Sequence, residues 1–183
     1  LERTAVRNAD VGRMIFEHGI DTLLLPIFST YLMQRGEDYV QMAVKGLLYT
    51  VNHPAFLQMY EDLSVQVRFY GDYESCFAST PYAYILDEFE QLMAKTAKNG
   101  RFQLLWGVCA QDAAEATIAL TKTYYEENGR FPDKQALIQQ YYGSAIPPVD
   151  IYIGSGKPRA DQGQNKLVGQ VSIQGCPAAV KSQ

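Results

Sequence analysis

A chain of 183 residues, 47% hydrophobic and 20% charged, has enough apolar side chains to bury one substantial core without disulfide staples. Its formal net charge of −4 and the lack of any Lys/Arg run argue against a nucleic-acid partner, which requires a concentrated basic face. The three cysteines, Cys76, Cys109 and Cys176, and the two histidines, His18 and His53, are too far apart to form a zinc cluster. The cysteines read as unpaired thiols, so a reducing, cytoplasmic setting is expected. The longest apolar stretch, Leu23 to Phe28, is too short to span a bilayer, and no basic-then-apolar leader opens the chain. That excludes a transmembrane segment and leaves room for peripheral contact with a lipophilic product or a membrane surface.

Leu1, Val6, Val11, Met14 and Ile15 recur at helical spacing until His18-Gly19 stops them. The chain therefore opens in or near the start of a helix, and a preceding strand is expected to be missing. The run Asp21–Phe28 has the length and continuous apolarity of a strand buried on both faces, with Pro26 marking an irregular end. Ser29-Thr30 starts a loop. Val40, Val44, Leu47, Leu48 and Val51 form one helix face, and Pro54 opens a further helical turn or two through Tyr60. Val65–Tyr70 is the second strand, stopped at Gly71-Asp72. Residues 82–98 predict a helix closed by Asn99-Gly100, and 101–109 a third strand. A helix follows to Asn128-Gly129, and a shorter one runs over 133–142. Asp150–Ile153 is a fourth strand. The chain turns polar and glycine-rich after Arg159, with Val168–Ile173 as a candidate further strand.

Strands alternating with helices predict an α/β fold, a largely parallel sheet flanked by helices. A single domain over residues 1–160 is expected, with 161–183 poorly defined. Ligands in such sheets bind beyond the carboxyl ends of the strands. Here those ends are Phe28-Ser29-Thr30, Phe69–Asp72, Trp106–Asp112 and Gly154–Lys157, and all four are expected to meet at one cleft.

The chemistry at these ends is modest. Gly154-Ser155-Gly156-Lys157 could present backbone N–H groups and a cation to an anion, but its glycine spacing is not that of a phosphate-binding loop before a helix. A plain turn is the simpler reading. Asp112 and Glu115 read as a capping pair rather than an acidic site. Tyr31, Tyr39, Tyr70, Tyr73, Tyr141 and Tyr142 could line an apolar cavity or simply fill a core and its rim. From the residues alone, the chain is a binder or an enzyme of unassigned kind.

Taken together, the strand ends resemble the cis-prenyltransferase superfamily, the fold of undecaprenyl diphosphate synthase. Phe28-Ser29-Thr30 is similar to that family's Phe-Ser-Thr loop. Phe69-Tyr70-Gly71-Asp72 is similar to its Phe-X-Gly-Asp strand end. Gln103 through Ala114-Glu115 is similar to its strand before an Ala-Glu helix, and Pro148-Val149-Asp150 through Ser155-Gly156 to its Pro-X-Asp strand and turn. A closer likeness is to the divergent branch of tuberculosinyl adenosine transferases and diterpene synthases. It is carried by Phe16–Ile20, Pro26–Ser29, Arg35-Gly36, Phe69–Tyr73, Asp112–Glu115, Tyr141–Gly143 and Ile153-Gly154, in order over about residues 5 to 157.

The departures narrow what the resemblance implies. Chain-elongating members bind isopentenyl diphosphate through arginines near Gly-Gly-Arg and Arg-Thr-Ser-Gly-Glu motifs. Here those regions read Ala110-Gln111-Asp112-Ala113 and Gly154-Ser155-Gly156-Lys157, without the guanidinium clamps or the metal-binding glutamate. The resemblance thus implies an enzyme that ionises an allylic diphosphate of farnesyl or geranylgeranyl type. The cation would pass to water, to a nucleoside or another non-isopentenyl acceptor, or to its own double bond. Substrate contacts are carried onto Phe28, Ser29, Thr30, Tyr31, Tyr70, Cys109, Gly154, Ser155, Gly156 and Lys157. Mg2+ is the implied cofactor, with no metal ligand identified in this chain, and the family's Asp-Gly catalytic loop is expected before Leu1. A homodimer is also implied. A non-catalytic scaffold subunit is the alternative, and cis-prenyl elongation is disfavoured by the lost arginines.

Overall fold

The structure is a computed structural model that describes residues 1–110 and 113–151, leaving aside the side chain of Ala113. It divides into two compact units, with the boundary between Gln111 and Asp112. The elements are α1 (Glu2–Glu17), β1 (Thr22–Phe28), a 3-10 turn (Thr30–Gln34), α2 (Glu37–Asn52), α3 (Pro54–Asp62), β2 (Val65–Tyr70), α4 (Tyr73–Phe77), α5 (Ile85–Thr96), β3 (Phe102–Val108), α6 (Ala113–Asn128) and α7 (Lys134–Tyr142).

The three strands form a parallel sheet in the order β1-β3-β2. β3 is central, and its pattern Phe102-Gln-Leu-Leu-Trp-Gly-Val108 is buried at every position except Gln103. That near-continuous burial is what a central parallel strand requires. Pro26 sits inside β1 because β1 pairs on one side only among the described residues, so its missing N–H costs the sheet no bond. The register shifts between Pro26 and Phe28, which is the irregular end that the proline forecast.

One face of the sheet carries Val65, Val67 and Phe69 of β2 with Phe102, Leu104 and Trp106 of β3, all buried. These join residues of α1, α2, α3 and α5 in one core. Helix α1 presents a narrow stripe of Ala5, Ala9, Gly12 and Phe16, small enough for Met59 of α3 to approach Gly12 closely. The ring of Phe69 stacks on Phe89 of α5 at 3.8 Å, and that of Phe16 on Phe102 at 4.9 Å. Such stacked pairs contribute about 0.5–1.5 kcal/mol beyond their buried area.

The outer edge of β2 is closed by side chains from the end of α5. Thr96 Oγ1 accepts a bond from the Val67 N–H at 3.1 Å, and the Asn99 amide donates to the Val65 carbonyl at 3.0 Å. These contacts occupy strand-edge groups that would otherwise invite pairing with another chain. In the second unit, α6 packs on α7. Asp133 caps α7, its Oδ1 accepting from the Ala136 N–H at 2.8 Å.

Two expectations differ from the structure. The helix expected over 82–98 covers Ile85–Thr96, and a separate short helix, α4, precedes it. Of the fourth strand, Val149 makes a single bridge, Asp150 and Ile151 are not in a strand, and the rest lies outside the described residues. The candidate strand Val168–Ile173 also falls outside them.

Replacing Thr96 by valine keeps the side-chain shape but leaves the Val67 N–H without its acceptor. The expected loss is about 1–3 kcal/mol of unfolding free energy, measured by urea denaturation.

Candidate functional site

Parallel pairing brings the carboxyl ends of β1, β2 and β3 to one edge of the first unit. Three of the four expected strand ends therefore converge, at Phe28-Ser29, Tyr70-Gly71 and Val108-Cys109. The fourth, Gly154-Ser155-Gly156-Lys157, lies outside the described residues. The contacts at this edge are close. The Cys109 N–H donates to the Phe28 carbonyl at 2.7 Å. Gly71, at φ +104°, rests against Val108 and Ala110 so tightly that a Cβ there would lie 2.3 Å from the Val108 carbonyl oxygen. A Cβ on Gly107 would meet the Tyr70 hydroxyl at 2.7 Å. The glycine of β3 is therefore the seat on which the Tyr70 ring rests.

A cavity of about 270 Å³ lies beside this edge. Its walls include Thr4, Ala5 and Asn8 of α1, Ile27 and Phe28 of β1, Leu32 of the 3-10 turn, Ala43, Gly46, Leu47, Tyr49 and Thr50 of α2, Phe56 of α3 and Trp106 of β3, with Leu1 beside them. The lining is mainly apolar. Its aromatic wall is fixed by a buried relay in which the Trp106 indole N–H donates to the Tyr60 hydroxyl at 3.2 Å, and that hydroxyl donates to the Thr50 carbonyl at 2.8 Å. Burial pushes the Tyr60 phenol strongly up, against the smaller opposite effect of the Trp106 bond. Tyr60 therefore stays neutral and serves as a fixed bridge. The ring of Phe56 meets that of Trp106 edge-on at 5.8 Å.

The sequence-derived residues fall in different places. Phe28 lines the cavity and is buried. Ser29 and Thr30 follow it, half-buried. Tyr31 is 67% exposed, and its neighbour Leu32 is the residue that reaches the cavity. Tyr70 is buried, but strand alternation puts it on the sheet face opposite Phe69 and Trp106. Cys109 is bonded to Cys76 in a disulfide, with Cα atoms 6.7 Å apart. This corrects the expectation of unpaired thiols. The two residues lie 33 apart in sequence, and the pleated sheet sets the end of β3 beside α4, a proximity invisible in the spacing.

Among the described residues, no three His, Cys, Asp or Glu side chains converge as a cation site. Also missed from sequence are Gly46, Thr50, Asn8 and Phe56. The helical period marks their neighbours as core, and only a glycine in mid-helix hinted at space beside α2.

No family model matches the chain. It is 36% identical over 146 residues to tuberculosinyl adenosine transferase of Mycobacterium tuberculosis (strain CDC 1551 / Oshkosh), an alignment covering 79% of this chain and 49% of that protein. The chain thus spans about half the length of this curated relative. Its fold matches a probable undecaprenyl diphosphate synthase from Campylobacter jejuni with a TM-score of 0.68 at 17% identity, over 92% of this chain and 78% of that one. It also matches lavandulyl diphosphate synthase from Lavandula x intermedia, solved in complex with dimethylallyl diphosphate, with a TM-score of 0.70 at 17% identity, over 93% and 75%. The chain is similar in sequence to that transferase and shares its fold with these two diphosphate synthases. The α/β fold expected from the strand and helix alternation is the fold of these cis-prenyltransferases.

The Gly71 contact is open to a direct test. Gly71→Ala adds a methyl group to a left-handed residue already in contact with backbone, with an expected cost of about 3 kcal/mol or more. Gly100→Ala, where nothing lies within 4 Å, is the control and should stay within about 0.5 kcal/mol of the parent. Equal denaturation midpoints for the two variants would contradict this account.

Proposed function

We propose that this chain carries the prenyl-binding part of an enzyme that ionises an allylic diphosphate of farnesyl or geranylgeranyl type and delivers the cation to an acceptor other than isopentenyl diphosphate. The observation that carries the proposal is the apolar, aromatic-walled cavity opening beside Phe28-Ser29-Thr30. An isoprenoid tail gains by leaving water for such a cavity. The diphosphate would remain at the strand ends, where the Ser29 and Thr30 hydroxyls can donate to it. The absence of Gly-Gly-Arg and Arg-Thr-Ser-Gly-Glu arginines in the sequence supports a non-isopentenyl acceptor.

Ionisation breaks the allylic C–O bond and leaves positive charge on carbon and added negative charge on pyrophosphate. Donors already fixed at the strand ends stabilise the departing anion without reorganising. The faces of Phe28, Phe56 and Trp106 can hold the carbocation by cation–π attraction and exclude water. The Tyr60–Trp106 bond keeps the indole from turning its N–H into the cavity. Mg2+ is the cofactor this reading implies. The described residues do not provide a ligand set for it, so no step is assigned to the metal through these residues.

The decisive experiment incubates the full-length protein and Mg2+ with geranylgeranyl diphosphate and measures pyrophosphate release. Release supports the enzyme, and none would favour a scaffold subunit. Gly46→Leu fills the cavity from α2, where a Cβ would meet only Leu1 at 3.8 Å. It should lower kcat/KM for the long substrate about tenfold or more, a change of about 1.4 kcal/mol. The melting temperature should hold or rise, because leucine favours a helix over glycine by up to about 1 kcal/mol.

A homodimer is part of the same proposal. Helix α6 has no buried residue from Ala114 to Asn128. Ile118 and Tyr125, seven apart on one helix face, are 70% and 48% exposed. An Ile118→Glu substitution is expected to convert a dimer to monomer in sedimentation velocity without loss of helix signal. A wild-type protein that sediments as a monomer would refute the dimer.

A further inference from the structure

The Cys76–Cys109 disulfide joins segments that lie just beyond two strand ends, rather than two elements of the core. β2 and β3 are already held together by ladder pairing as far as Tyr70 and Gly107. Beyond that pair the backbone changes character. Gly71 is left-handed, and Cys109 has φ +54°, a sparsely populated conformation for a residue with a side chain. Three contacts then converge on Phe28. Its carbonyl accepts the Cys109 N–H at 2.7 Å. Its ring packs against Phe77, the neighbour of Cys76 on α4, at 5.4 Å. Its side chain is a wall of the prenyl cavity. The disulfide thus closes a ring of contacts from α4 through Cys109 to Phe28 and back to α4. The two cysteines are unequally accessible, since Cys109 is buried and Cys76 is partly exposed.

We propose that Cys76–Cys109 is a redox switch on the prenyl diphosphate site, locking the ends of β1, β2 and β3 together when formed and releasing Phe28-Ser29-Thr30 when reduced. The function at stake rests on the reading given under Proposed function, while the switch itself rests on the contacts above. The reductant is a dithiol. One thiolate attacks the Cys76 sulfur, the S–S bond breaks, and Cys109 leaves as a thiolate that takes up a proton. The second thiolate of the reductant then attacks the mixed disulfide, freeing Cys76 as a thiolate that is protonated in turn. Two electrons and two protons enter the protein, and the reductant departs as its own disulfide. Without the bond, Cys109 is no longer held left-handed from both sides, and its N–H bond to Phe28 loses its support. A substrate that meets loosened strand ends must itself supply the ordering, which weakens binding.

The test uses the full-length protein, air-oxidised or treated with dithiothreitol, alongside Cys76→Ser. Alkylation and peptide mapping should show Cys76 paired with Cys109 in the oxidised form and both alkylated after reduction. Amide hydrogen exchange should rise about tenfold or more over residues 28–34 and 71–78 on reduction, while residues 102–106 change less than about twofold, since local opening does not require global unfolding. Cys76→Ser should show the reduced pattern with or without dithiothreitol. Inorganic pyrophosphate, the probe for the site, should bind the reduced form about fivefold or more weakly, as expected when preorganisation is lost. Free Cys76 and Cys109 in the oxidised protein, pairing of either with Cys176, or exchange indifferent to reduction would each overturn the switch. If exchange responds as expected but neither form binds pyrophosphate, the coupling of the strand ends stands and the diphosphate reading falls.

Discussion

The contact between Gly71 and the end of β3 is the constraint on which the site depends. With no side chain, the turn after β2 approaches the Val108 carbonyl and Ala110 more closely than any other residue could. That approach brings α4 against β3 and, through Phe77 and Cys109, against Phe28. A parallel sheet aligns its carboxyl ends in any case. Here the close turn makes those ends one connected object rather than three separate loops.

The cavity depends on a second constraint, a polar one. Aromatic side chains that wall an apolar space are free to tilt unless something holds them. The Trp106 N–H, the Tyr60 hydroxyl and the Thr50 carbonyl satisfy each other in the core. A buried polar group left unmatched is costly, so each bond also fixes the orientation of its ring. The space between α1, α2 and the sheet stays open because small residues face it, Thr4 and Ala5 on α1 and Ala43 and Gly46 on α2, where larger ones would close it. Core and cavity are built from the same strands, with residue size deciding between them.

Much of this was legible in the sequence. The period of Val40, Val44, Leu47 and Val51 fixes α2 because only one helix face can be apolar at that spacing. The short apolar runs at Thr22–Phe28, Val65–Tyr70 and Phe102–Val108 are strands because they are too short for buried helices and end in turn residues. The strand-end motifs at Phe28-Ser29-Thr30 and Phe69–Asp72 pointed to the site because a parallel sheet must gather them at one edge. Helix α4 was not legible, since five residues hold too little of a helical period to register.

Amino-acid order by itself therefore determined most of the elements, the parallel α/β architecture and the edge at which chemistry would sit, because these follow from local periodicity and the handedness of the chain. Only the tertiary structure decided which side chains meet across that edge. Tyr70 and Phe69 are adjacent in sequence but lie on opposite faces, and Tyr31 yields its place at the cavity to Leu32. Cys76 and Cys109, 33 residues apart and unmarked by any spacing rule, become bonded neighbours. The physical reason is the same in each case. Sequence records what each residue prefers locally, whereas the distance between residues on different strands is set by register, pleat and the absence of a methyl group at Gly71.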